Sequence, residues 1–124
     1  MDNSHKSLNE IPIVAKTYEL YKLFYGYLLL FPQRDKYTLG SKCEMFIIAI
    51  LELLLEAGAV NKSEKTMILK KTSVKLDALK IFVRIAKDLK CLDNKKYLLL
   101  QTHLQEIGQQ LGGWYRSLNS LSRQ

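Results

Sequence analysis

Lys80, Arg84 and Lys87 stand at i, i+4 and i+7, a spacing that stacks three cations on one face of an α-helix. Lys62 and Lys65 extend the same face: at about 100° per residue, all five fall within about a third of the circumference. Like charges at i, i+4 oppose helix formation by roughly 0.2–0.5 kcal/mol per pair, so the arrangement works slightly against stability. Such a stripe can neutralise phosphates and release their counterions, or meet an acidic protein surface. A merely solvated polar face is the other reading. The stripe lies in the segment that holds nearly the whole charge imbalance: residues 62–90 carry nine basic and three acidic side chains in a chain of net charge +7.

Other chemistry-bearing residues are sparse. A carboxylate-bridged dimetal bundle needs Glu-x-x-His on each of two helices; here His103-x-x-Glu106 runs in the wrong order and His5 lies near the N-terminus. No metal or cofactor is expected. Two cysteines, Cys43 and Cys91, cannot make a disulfide framework and read as buried structural thiols in a reduced cytoplasmic protein. Gly108-x-x-x-Gly112 lacks the strand-turn context of a phosphate loop. In a helix each glycine costs roughly 1 kcal/mol relative to Ala, which argues for close approach by a neighbouring helix, with Trp114 covering the joint. With no acid–base pair in view, the chain is expected not to be an enzyme.

The elements that must position these residues are four helices. The first spans about Ile13 to Phe31, with Ile13, Thr17, Leu20, Phe24, Leu28 and Phe31 on one face, and Pro32 ends it. The second runs from about Lys42 to Ala57, started by a Ser41/Glu44 capping box and stopped by a left-handed Gly58. The third begins near Lys62 after a capping Asn61, with a kink or break expected at Thr72-Ser73-Val74. The fourth starts after Asp93 or Asn94 and reaches about Leu118, lined by Tyr97, Leu100, Leu104, Ile107, Leu111, Tyr115 and Leu118. Short connections make this an all-α, antiparallel up-down-up-down four-helix bundle over residues 12–118, with flexible tails at 1–11 and 119–124. No secretory signal opens the chain, and the apolar runs Leu23–Phe31 and Met45–Leu51 are too short for a membrane span of roughly 18 residues.

Apolar residues exceed what one core needs. On the third helix Ala78, Ile81, Phe82, Ile85, Leu89 and Leu92 form the expected core face. Leu76, Leu79, Val83 and Ala86 form a second strip, which would face water in a monomer and is therefore assigned to an oligomer interface.

The stretch Phe31-Pro32-Gln33-Arg34-Asp35-Lys36-Tyr37-Thr38-Leu39-Gly40 resembles the signature of accessory variability determinant (Avd) proteins of diversity-generating retroelements. Leu79-Lys80-Ile81-Phe82-Val83-Arg84 is similar to that family's helix with two basic residues four apart, although Ile81-Phe82 departs from its often Trp-containing pattern. Glu106-Ile107-Gly108-Gln109-Gln110-Leu111-Gly112-Gly113-Trp114 resembles its closing helix, an ending shared with proteins encoded in 23S rRNA intervening sequences. The resemblance implies a ring-like homo-oligomer, a pentameric barrel, that binds RNA or DNA and the retroelement's reverse transcriptase in mutagenic retrohoming. Lys80 and Arg84 are the basic pair it carries over. A structural or regulatory oligomer of the intervening-sequence type, without a polymerase partner, is the alternative.

Overall fold

A computed structural model describes residues 10–122. Four long helices account for nearly all of them: α1 (Glu10–Leu28), α2 (Ser41–Ala57), α3 (Lys62–Asp88) and α4 (Asn94–Ser122), with no strand among the described residues. The expected tails fall outside the described residues up to Asn9, His5 included, and again at Arg123 and Gln124.

Helix α1 stops where Leu30 and Phe31 turn back onto the Tyr27 and Leu28 carbonyls, at 3.0 and 3.1 Å, ahead of Pro32. The link from there to α2 is helical rather than a loop. Pro32, extended at φ −55° and ψ 144°, starts a helical turn over Gln33–Asp35 that passes through a π-turn, Lys36–Gly40, directly into α2. The Ser41 N–H reaches back five residues to the Lys36 carbonyl. This overturns the expected capping box: Ser41 is already helical, so its hydroxyl has no free helix end to cap. Glu44 is used elsewhere, accepting the Tyr21 hydroxyl at 3.1 Å. Gly40 is buried under the end of α1, where a Cβ would overlap the Leu28 Cδ1 methyl and crowd Phe31.

Asn61 caps α3 as expected, its side chain accepting the Glu64 N–H at 3.0 Å. The helix then runs unbroken to Asp88. No break falls at Thr72-Ser73-Val74, where Thr72 is buried and its hydroxyl donates to the Ile68 carbonyl at 2.8 Å. The left-handed residue is not Gly58, which has φ −70°, but Lys90, at φ 66°. Around Lys90, Cys91 N–H bonds the Ala86 carbonyl and Lys90 N–H that of Lys87, the paired bonds of a Schellman stop. Asp93 then caps α4 through the Lys96 N–H at 2.8 Å.

Neighbours in sequence pack side by side, and α1 closes the bundle against α4. The core is built from Ile13, Leu20 and Phe24 of α1, Ile47, Ile50 and Leu54 of α2, Leu79 and Val83 of α3, and Leu100, Leu104 and Ile107 of α4. Burying each such side chain contributes roughly 1.5–3 kcal/mol. Here α3 departs from the expected assignment, although Leu92 is buried and Phe82 packs against the core as expected. Leu76, Leu79, Val83 and Ala86 are buried within the protomer, so they have no surface to offer a second copy. Ile81 and Leu89, expected in the core, are 62% and 59% exposed, and Ile85 is exposed with them.

Candidate nucleic-acid interface

The register of α3 decides where its cations go. With Leu76, Leu79 and Val83 turned inward, Lys65, Lys80 and Lys87 fall along the seam against α4, each half-buried. The Lys65 ammonium lies over the Trp114 ring at 5.7 Å, and Lys87 over Tyr97 at 4.8 Å. Arg84 Nε donates to Asp88 Oδ1 at 3.3 Å, and that hydrogen bond, with a lesser one to Tyr97, holds the guanidinium above its ordinary pKa. Lys62 stands apart and exposed in the first turn. The seam from Lys65 to Lys87 rises about 33 Å at 1.5 Å per residue.

Two further cations join it that the helical wheel of α3 did not select. Lys70 and, from α4, Arg116 line the same groove as Lys80, a cleft of about 780 Å³ between α3 and α4. Asp77 is the only carboxylate among its lining residues. Arg116 comes from a different helix, so no periodicity along α3 could have found it. Lys70 sits at i−10 from Lys80 and was legible as part of the charge run alone.

Gly108 and Gly112 sit on the groove wall. The expected close helix approach is not what they serve: a Cβ at Gly108 would meet Leu76 and Lys80 at 3.6 and 3.7 Å, ordinary contact distances. One at Gly112 would meet the tip of Arg116 at 3.1 Å. Trp114 is buried, as a residue covering the seam should be.

The remaining candidates are structural in their surroundings. His103 is half-buried on α4, with its Nδ1 buried and unbonded among the described residues. Glu106 pairs with Lys16 at 2.6 Å, tying α1 to α4, and that hydrogen bond holds its carboxyl below the usual range. Burial, and secondarily the nearby Cys91, pushes the Cys43 thiol up to about 12. Among the described residues no group of three or more His, Cys, Asp or Glu side chains converges, and no helix is long and apolar enough to cross a membrane.

With this arrangement in view, a family model described as bAvd-like matches residues 11–118. The chain belongs to the bAvd-like family. No functionally curated protein matches it. The match reaches into all four helices of this bAvd-like chain and includes the helical turns at 33–40 and the seam.

Proposed function

We propose that this chain is a non-catalytic accessory subunit that binds nucleic acid, template RNA or DNA, together with the reverse transcriptase of its own retroelement, in support of mutagenic complementary-DNA synthesis in a reducing cytoplasm. The observation that carries the reading is the cationic seam: Lys65, Lys80, Arg84 and Lys87 of α3, joined by Lys70 and Arg116, on a chain of net charge +7 in the bAvd-like family. Cations aligned along a helix pair can displace condensed counterions from a phosphate backbone, which makes affinity depend steeply on salt.

The subunit acts as a ring of copies, a pentamer by family resemblance. Support for assembly comes from the apolar side chains left outside the protomer: Met45, Ile48 and Leu55 on α2, with Ile81, Ile85 and Leu89 on α3. Apolar side chains exposed in this number are a surface that soluble monomers seldom leave bare.

The test is the double charge reversal Lys80→Glu with Arg84→Glu. It should abolish RNA binding and capture of the polymerase, with helicity by circular dichroism and mass by light scattering unchanged. Binding that survives the double variant removes the seam from the mechanism. A wild-type ring that captures no polymerase returns the chain to the scaffold role of the intervening-sequence type.

A further inference from the structure

We infer that the groove between α3 and α4 takes single-stranded rather than duplex nucleic acid, seating a base against Tyr115 while Lys70, Lys80 and Arg116 hold the flanking phosphates. This rests on the nucleic-acid role proposed above and names the form of ligand that the seam selects.

The groove has the parts such a ligand needs. Its volume, about 780 Å³, falls in the range of about 300–1,000 Å³ typical of sites that enclose a small molecule. Its apolar floor is Leu69, Leu76 and Leu111, all buried in the core and so fixed in place. Tyr115 packs against that core and is half-buried, which presents a held aromatic ring rather than a mobile one. Base faces stack on such rings whatever the base, but only where the strand is open, because in a duplex those faces are already covered by neighbouring pairs. The exposed amides of Gln105 and Gln109 stand one turn apart on the α4 wall, with no partner among the described residues, and can meet a base edge. Three cations against one carboxylate give the rim the sign that phosphates require.

The glycines fit the same picture. Neither Gly108 nor Gly112 is demanded by contacts within the protomer, since a Cβ there meets ordinary neighbours or a flexible tip. What their missing side chains do provide is room along α4, where a ligand can approach the backbone.

Fluorescence anisotropy with a labelled short oligouridylate and an RNA hairpin of equal phosphate number tests this on the native oligomer. The wild type should hold the single strand more tightly. Gly108→Leu, which fills the groove without altering charge, and Tyr115→Ala, which removes the ring, should each weaken single-strand binding about tenfold and leave hairpin binding as it was. Photo-crosslinking of a 4-thiouridine strand to the unsubstituted protein provides a measurement independent of any variant's folding: adducts should map to residues 105–116. Equal affinity for strand and hairpin, or adducts only elsewhere, overturns the groove while leaving the electrostatic reading of the seam intact. Loss of assembly in Gly108→Leu would assign the groove to a second copy of the chain and overturn the inference. No binding of either RNA at low salt would remove both readings.

Discussion

Lys90 turns the chain from α3 toward α4 in a conformation that L side chains enter at a cost of about 1–2 kcal/mol. Lys90→Gly should therefore raise the thermal midpoint by an amount worth about 1 kcal/mol, and Lys90→Val should lower it. Gly40 is the opposite case. Its replacement by Ala drives a methyl into Leu28 and Phe31 and should destabilise by about 1–3 kcal/mol, read in a denaturant titration. Two carboxyls contribute to the acid limb of stability. Asp93, held down first by the Lys96 N–H, and Glu106, held down by Lys16, lie below their ordinary values of 3.8 and 4.5. A carboxyl with a depressed folded pKa binds its proton more readily once unfolded, so its contribution is whole above the ordinary value and fades as pH falls through the folded one. Melting curves should be level down to about pH 5 and fall below about pH 4, with Asp93→Asn and Glu106→Gln flattening the decline. Asn61 was legible as a cap because it precedes a helix that starts afresh, and Asp93 settles as the cap of α4 where the sequence left Asp93 and Asn94 open. Ser41 was misleading for the opposite reason: its motif is complete, but the π-turn before it leaves no end to cap.

At the scale of elements, α3 is where sequence and structure part. Two apolar strips at helical spacing compete on one helix, and periodicity alone cannot say which faces inward. The buried strip extends back through Thr72, Leu69 and Ile68 to the first turns, and the exposed one extends back through Val74 and Met67, so continuity does not separate them either. Leu79→Ala should cost about 2–5 kcal/mol in protomer stability. Ile81→Ser with Ile85→Ser should leave the melting of the protomer nearly unchanged and lower the mass seen by light scattering. The reverse pattern would put α3 back in the register expected from its wheel. The bundle itself, its four helices and their order, could be read directly from lengths, caps and Pro32. The helical character of 33–40 could not, because Pro32 marks both the end of α1 and the start of the next turn.

For the whole molecule, the seam converts one helix's surplus charge into a surface shared by two. On a single strand each neutralised phosphate adds about 0.7 to the slope of log affinity against log salt. Removing Lys80 and Arg84 should therefore shallow that slope by about 1.4, a change that a general loss of folding would not produce. What the sequence could not supply was the partner wall: Arg116, Gln105 and Tyr115 reach the groove only through the packing of α4 on α3.

The single tryptophan of the chain lies almost fully buried at one end of this seam with the Lys65 ammonium above its ring. Its emission should be that of an indole in apolar surroundings, and drawing Lys65 toward a polyanion would change the charge nearest the ring. The molecule thus carries a built-in optical probe of whatever settles along α3 and α4.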